Sequence, residues 1–139
     1  MRGLGPAVVM TLLVMMASVT GALAQDIAVV TAGDADAGGN VFRRCGACHA
    51  VGEGARNKVG PHLNGLFGRV AGSIEDYRYS KPMREAGKAG LVWDEEALVE
   101  YLRRPRAFVK GTSMGFAGLR KDKDIIDVLT FLGTHQNSK

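Results

Sequence analysis

"FRRCGACHAVGEG", Phe42 to Gly54, contains both cysteines of a chain of 139 residues, and a histidine directly follows the second cysteine. Cys45 and Cys48 are too close in the sequence for a disulfide between them to join distant parts of a fold. Closing so small a loop also adds little stability. We therefore expect the two thiols, together with His49, to have a local chemical role.

Three kinds of site could use such a cluster. A structural zinc site requires four ligands, whereas this cluster offers three, and His62 and His135 do not form a second pair with the usual spacing. A thioredoxin-type dithiol normally lies near a βαβ pattern, and no alternating strand pattern of useful length is present. The third interpretation is the C-x-x-C-H signature of c-type haem, in which both thiols form thioethers and the histidine ligates iron.

The N-terminal segment is typical of an exported protein. After Arg2 no charged residue occurs until Asp26, and the interval ends in a small-residue "ALA" at positions 22–24. This pattern predicts a signal peptide over residues 1–24, followed by one domain over residues 25–139 in the periplasm. The alternative is an uncleaved membrane anchor formed by residues 3–25.

Capping residues and helical spacing predict an all-α protein. The predicted helices are one that begins near Asp34 and runs into Cys45, a short one capped by Ser80, one from Asp94 to a stop at Pro105, and one that ends at Gly133. Between them, residues 51–72 are glycine-rich and irregular, and residues 106–119 are predicted to form an extended loop. Loops longer than about 12–15 residues are uncommon in compact domains unless they are functional. A large buried apolar cofactor would fill the core that such a chain lacks.

A second axial ligand for iron would come from the few remaining soft or aromatic donors. Outside residues 1–24 the methionines are Met83 and Met114, and the histidine alternatives are His62 and His135. Met114 lies in the irregular "KGTSMGFAG", which can present a thioether to an open iron face. Sulfur favours reduced iron, so a Met/His pair raises the potential relative to two histidines.

Four motifs occur in a fixed order: "CGACH", "GPHLNGLFGR", "LVWDEEALVEYLRRP" and "GTSMGFAG". Over about residues 33–132 the chain resembles class I c-type cytochromes, bacterial cytochromes c2 and mitochondrial cytochrome c among them. The resemblance implies the small class I cytochrome c fold, with helices and long loops wrapped around one covalently bound haem c.

The resemblance also implies roles for individual residues. Cys45 and Cys48 would carry the thioethers, and His49 and Met114 would be the axial ligands of the haem iron. The carbonyl of Pro61 would accept a hydrogen bond from the His49 ring, and Tyr101 would lie near the methionine sulfur. The implied contacts of the haem propionates are Arg69, Tyr79 and Trp93 at the inner propionate and the hydroxyls of Ser80 and Thr112 on the same side. The implied contacts between the first and last helices are Gly38, Phe42 and Phe131.

Three positions depart from the mitochondrial pattern. Met83 replaces an asparagine of a buried polar network, Lys110 replaces a proline, and Ser113 replaces a lysine beside the ligand. Losing the proline makes more backbone conformations accessible to alternative states. We therefore expect the Met114–iron bond to open more readily than in mitochondrial relatives.

The resemblance implies a soluble electron carrier rather than an enzyme, a monomer that would accept electrons from a bc1-type complex. It would pass them to an oxidase, a photosynthetic reaction centre or a reductase. The net charge of +4 alone does not distinguish nucleic acid, membrane and acidic protein as partners; the family implies acidic protein faces and no nucleic acid. The predicted docking residues are Arg44, Lys58, Lys81, Arg106, Arg120 and Lys121, with Arg43 and Lys110 as further candidates.

Two other function classes remain open from the sequence. A haem peroxidase or a gas-binding sensor would need a sixth iron position that is empty or easily vacated, which the departures at Lys110 and Ser113 keep possible. A binding module with a Cys45–Cys48 disulfide and no haem would leave the glycine-rich middle without a core.

Overall fold

The computed structural model describes residues 32–139, so the predicted signal peptide lies outside the described residues. The helices are α1 (Ala35–Phe42), α2 (Lys81–Lys88), α3 (Glu95–Arg103), α4 (Pro105–Phe108) and α5 (Asp122–Gly133). Within residues 32–139 the extended pairing consists of one isolated bridge between Val70 and Val92. The predicted all-α class is confirmed. None of the helices in this part of the chain is long and apolar enough to cross a membrane.

Helices α1 and α5 cross in close contact. A Cβ atom on Gly38 would overlap the carbonyl oxygen of Asp127, so the two backbones meet directly at this glycine. The rings of Phe42 and Phe131 lie 5.3 Å apart, centroid to centroid. Asp127 is buried, and its carboxylate accepts from the main-chain N–H of Asp34 at 2.9 Å and from Lys123 Nζ at 2.7 Å. The N-terminus of α1 is thereby attached to the middle of α5.

The first helix is shorter than predicted. It ends at Phe42, and residues 43–48 form successive turns, in which the N–H of Cys45 donates to the carbonyl of Phe42 at 2.7 Å and that of His49 to the carbonyl of Cys45 at 2.9 Å. The prediction that the helix runs into Cys45 was wrong. The turns place Cys45, Cys48 and His49 beside the end of α1 rather than on it.

Two further predictions about helix ends need correction. Ser80 occupies the N-cap position of α2, but its side chain makes no capping hydrogen bond. Pro105 does end α3, yet it also begins the short helix α4, so the segment predicted as an extended loop starts with a helical turn. Proline is well suited to the first position of a helix because its missing N–H would have no partner there.

Residues 51–72, which were predicted to be irregular, form turns and loops, and both main-chain and side-chain groups supply their hydrogen bonds. Asn64 is buried and bridges both main-chain groups of Gly52, each at 2.8 Å. Such bonds satisfy buried backbone groups that have no secondary-structure partner. The stretch is therefore fixed in one conformation although it contains no regular element.

Candidate functional site

A cavity of about 410 Å³ lies between the helices and the long loops. Cofactor and ligand sites commonly have about 300–1,000 Å³. The cavity is lined by every residue that the family resemblance assigned to the haem, but not by the alternative ligands His62 and His135. The lining residues from that set are Cys45, Cys48, His49, Pro61, Arg69, Tyr79, Ser80, Trp93, Tyr101, Thr112 and Met114. Residues from positions 45 to 114 thus converge on a single site.

His49 is oriented by the loop that follows it. Its Nδ1 donates to the carbonyl oxygen of Pro61 at 2.6 Å, which leaves Nε2 as the atom able to bind a metal. Gly60 packs against the ring, where any Cβ atom would overlap it. Burial lowers the pKa of His49, and the charges of Arg69 and Lys58 act in the same direction, while the Pro61 hydrogen bond opposes them. The ring is therefore held as a neutral imidazole, the form that ligates metals.

The two thiols are free and lie at the edge of the same cavity. Cys45 is partly buried and Cys48 is exposed. Burial raises the pKa of Cys45, and the charge of Arg44 opposes that effect. Among residues 32–139, no group of three or more His, Cys, Asp or Glu is arranged to hold a metal ion. This arrangement does not fit the zinc alternative, and it leaves both thiols available for covalent attachment.

Met114 is held by hydroxyl groups. Tyr101 donates its O–H to the sulfur at 3.2 Å, and Thr112 Oγ1 lies 3.4 Å from the same hydroxyl and accepts from the Met114 N–H at 3.3 Å. Burial raises the pKa of Tyr101, so its hydroxyl remains a donor. The loop that carries Met114 is joined to α3 by the bond from the Leu119 N–H to the carbonyl of Leu102, at 2.8 Å.

Arg69 supplies a positive charge at the cavity. Its guanidinium donates to the carbonyls of Asn64 and His62 at 3.1 and 3.3 Å, and within residues 32–139 no carboxylate lies within 4.0 Å of it. Burial lowers the pKa of Arg69 and raises that of Tyr79 beside it. The hydroxyl of Ser80 is buried without a hydrogen-bond partner. A partly buried cation without a carboxylate partner and a buried hydroxyl without a hydrogen bond are both suited to meet an anionic group of a ligand.

The donor set fits a haem. It comprises two free thiols separated by two residues, a neutral imidazole, a thioether, and a cation suited to a propionate. The walls are largely apolar, as a porphyrin requires, and the residues that form them include Phe42, Leu63, Leu66, Leu98, Phe116, Val128 and Leu132.

Sequence reasoning missed Gly60 and Tyr77 as residues of this site. Gly60 precedes Pro61 directly, so its position in "VGPH" was an available signal. Tyr77 donates its O–H to the carbonyl of Val59 at 2.6 Å and joins two loops at the cavity, and nothing in its sequence context indicated this contact. Met83 lines the cavity and is buried, which places the methionine that departs from the mitochondrial pattern at the site itself.

Comparison with known proteins gives cytochromes c and c2 as relatives. The chain is 59% identical over 98 residues to cytochrome c2 of Afifella marina, covering 70% of this chain and 79% of that protein. It is 50% identical over 102 residues to cytochrome c of Stellaria longipes, covering 72% of this chain and 91% of that protein. No protein-family model matches the chain.

A solved structure has the same fold. The structure of cytochrome c2 from Rhodospirillum centenum superimposes with a TM-score of 0.70 and 35% sequence identity. The match covers 74% of this chain and 98% of that one. The structural match therefore spans nearly the whole of the solved chain and most of residues 32–139.

Proposed function

The chain belongs to the cytochrome c family, and from this we propose that it carries single electrons through a covalently bound haem c ligated by His49 and Met114. Members of this family are electron carriers rather than enzymes. The observation that carries the proposal is the convergence on one cavity of two free thiols, a histidine oriented by Pro61 and a methionine oriented by Tyr101.

The protein's own residues would prepare the site for electron transfer. When bound, the haem iron supplies the one-electron chemistry by alternating between its ferric and ferrous states. His49 and Met114 would ligate the iron, so that no substrate needs to reach it. Arg69 would neutralise an inner propionate, and the apolar walls would limit the entry of water. Because His49, Met114 and Arg69 are already held by hydrogen bonds, these side chains need little rearrangement when the charge of the iron changes.

The exposed edge of the cavity would be the route for electrons. Cys48 is exposed there, and Val59 retains 78% of its accessible surface. The six predicted docking cations are all exposed. Arg44 lies 3.8 Å from the carboxylate of Asp124, and Lys58 Nζ donates to the carbonyl of Gly46 at 2.6 Å. These two side chains are thus partly engaged within the protein. Lys81, Arg106, Arg120 and Lys121 have no carboxylate within 4.0 Å in residues 32–139.

This surface supports docking of a monomer to acidic faces of redox proteins. We propose a bc1-type complex as the electron donor and an oxidase, a reaction centre or a reductase as the acceptor. The signal-peptide pattern of residues 1–24 supports a periplasmic location. Complementary charge of this kind favours fast, weak association that is sensitive to salt.

Optical spectra of the purified protein, oxidised and reduced, test the proposed ligation. The weak far-red ferric band that reports a sulfur–iron bond should be present and should vanish in Met114→Ala. It should persist in the matched control Met83→Leu, which alters the other methionine of the described chain. If wild type lacks the band and its ferrous form binds carbon monoxide readily, the sixth position is open, and the peroxidase or gas-sensor alternative takes the place of this proposal.

A further inference from the structure

The last residues of the chain lie across the loop that follows His49. We call residues 134–139 the C-terminal strap and residues 52–69 the proximal loop. Main-chain bonds join them at two places, where the N–H of Gly65 donates to the carbonyl of His135 at 3.2 Å and that of Gly54 donates to the carbonyl of Lys139 at 2.9 Å. The strap therefore contacts both ends of the loop.

One side chain of the strap makes a two-point contact. The amide oxygen of Gln136 accepts from the main-chain N–H of Phe67 at 3.1 Å, and its amide nitrogen donates to the carbonyl of Phe67 at 2.8 Å. Phe67 is 4% exposed and lies outside any helix or strand. Without Gln136, both of its main-chain groups would lose a partner, and an unsatisfied buried polar group is destabilising.

The proximal loop in turn holds the groups that face the cavity. The Pro61 carbonyl accepts the His49 Nδ1 proton. The carbonyl of Asn64 accepts from Arg69, while the Asn64 side chain is bonded to Gly52. A displacement of the loop near Phe67 would consequently reach both the imidazole and the guanidinium.

We propose that Gln136 is a positioning residue for electron transfer: by fixing Phe67 it holds the proximal loop, and through that loop the His49–Pro61 hydrogen bond and the Arg69 guanidinium. The inference rests on the proposed function, because it assigns the residue that orients the proposed iron ligand. Gln136 acts at a distance, since it is absent from the residues that line the cavity.

Proton exchange in the reduced, haem-loaded protein tests this role. Gln136→Met keeps the length of the side chain and removes both hydrogen bonds. Gln136→Glu keeps only the acceptor for the Phe67 N–H and is the milder variant. The matched control is Asn137→Leu, because Asn137 is exposed and forms no side-chain hydrogen bond within residues 32–139. Nuclear magnetic resonance then gives the exchange rates of the His49 Nδ1 proton and of the Gly65 and Phe67 amides.

We expect these three protons to exchange about tenfold faster in Gln136→Met, the size that loss of one or two buried hydrogen bonds predicts. Gln136→Glu should be intermediate, Asn137→Leu unchanged, and the amides of α1 and α5 unchanged in all variants. Rates within twofold of wild type for the His49 proton would overturn the proposal, as would equal acceleration in α1 and α5. Spectra of the same samples report the ligation separately, so failure of the proposed function would be recognised independently of the exchange rates.

Discussion

At the scale of single residues, the site depends on hydrogen bonds to the two proposed ligands. Pro61 accepts from the ring of His49, and Tyr101 donates to the sulfur of Met114. The hydrogen bond to Pro61 increases electron density on the His49 ring, and the hydrogen bond from Tyr101 withdraws electron density from the Met114 sulfur. Hydrogen bonds around axial ligands are a principal means by which a protein adjusts a redox potential.

Tyr101→Phe should therefore lower the reduction potential. The substitution removes an O–H dipole whose positive end points at the sulfur, and that dipole disfavours the extra positive charge of ferric iron. A hydrogen bond of about 1 kcal/mol corresponds to roughly 40 mV for one electron, which sets the upper limit of the shift. Redox titration measures it. Thr112→Val is the companion variant, and a rise in the potential of Tyr101→Phe would contradict the argument.

Residues with a chemical signature could be predicted at this scale, and purely geometric ones could not. The thiols, His49 and Met114 could be predicted because few residue types can do this chemistry, and all four line one cavity. Gln136 and Phe67 are separated by 69 positions, and a glutamine that bonds to backbone has no distinctive neighbours in the sequence. Tyr77 was missed for the same reason.

At the scale of elements, the loop that carries Met114 begins at the short helix α4 and lacks the proline seen in mitochondrial relatives. The N–H of Lys110 donates to no main-chain carbonyl within residues 32–139, and Val109 before it is extended. Both conditions are compatible with proline at position 110.

Lys110→Pro should accordingly stabilise the closed loop. Restricting the backbone stabilises the closed loop by about 0.4–1 kcal/mol. The sulfur–iron band is lost at alkaline pH, and the midpoint pH of that loss should increase by about 0.3–0.7 units. Spectrophotometric titration measures this midpoint. Lys110→Ala removes the same charge without restricting the backbone, and an equal increase in that control would attribute the effect to the lysine side chain. No change in Lys110→Pro would contradict the proposal.

The junction of α1 and α5 should depend on pH through Asp127. The N–H of Asp34, followed by Lys123, lowers the pKa of this carboxyl below its usual value. A lowered pKa in the folded state stabilises the protein fully above the unfolded pKa of about 3.9, and the contribution is lost as the pH falls through the folded value.

Asp127→Asn should thus be destabilised at pH 7, and its difference from wild type should shrink as the pH falls below about 4. Urea unfolding at several pH values measures this difference. Asp36→Asn changes an exposed carboxylate in the first turn of α1 and serves as the control. A difference that stays constant with pH would show that the carboxylate is not the cause.

Helix ends were predictable where a cap is a local interaction. Asp34 and Asp94 both cap as expected, since the bond reaches only two or three residues along the chain. Ser80 has the right identity and position for the same role, but its hydroxyl lines the cavity instead. Tertiary surroundings decided that outcome, and sequence patterns do not contain them.

At the scale of the whole molecule, the exposed arginines differ in how closely carboxylates approach them. Arg44 and Arg103 lie near carboxylates of α5, at 3.8 Å from Asp124 and 3.0 Å from Asp122. Residues 101–121 contain no acidic side chain, so Arg106 is not balanced within its own segment. The surface beside α5 is therefore more nearly neutral than the surface around α4.

Association with an anionic oxidant, hexacyanoferrate(III), should respond to both features. Arg106→Gln should lower the second-order rate constant and Asp124→Asn should raise it, each about two- to fivefold at low ionic strength. Stopped-flow kinetics measures the rates, and the differences should disappear at about 1 M salt. A cationic cobalt oxidant should give the opposite order. Rates that do not depend on ionic strength would contradict electrostatic docking.

The general architecture could be predicted because several independent features of the sequence indicate it. Four motifs in order, an all-α pattern and long glycine-rich loops indicate the same fold. Composition and spacing alone indicated the cavity only as a need for something to fill the core, because its walls combine residues from Phe42 to Leu132. The family resemblance was needed to predict which residues line it.

The proposed haem attachment gives that cavity a consequence for the protein's synthesis. Its walls come from nearly every segment of the described chain, so these walls have no apolar partner until the cavity is filled. A chain that folded before it was loaded would keep these apolar walls in contact with water, which is unfavourable. We therefore expect the thioethers to be made on a loosely folded precursor, with "CGACH" accessible and both thiols kept reduced, and the finished shape to appear only afterwards.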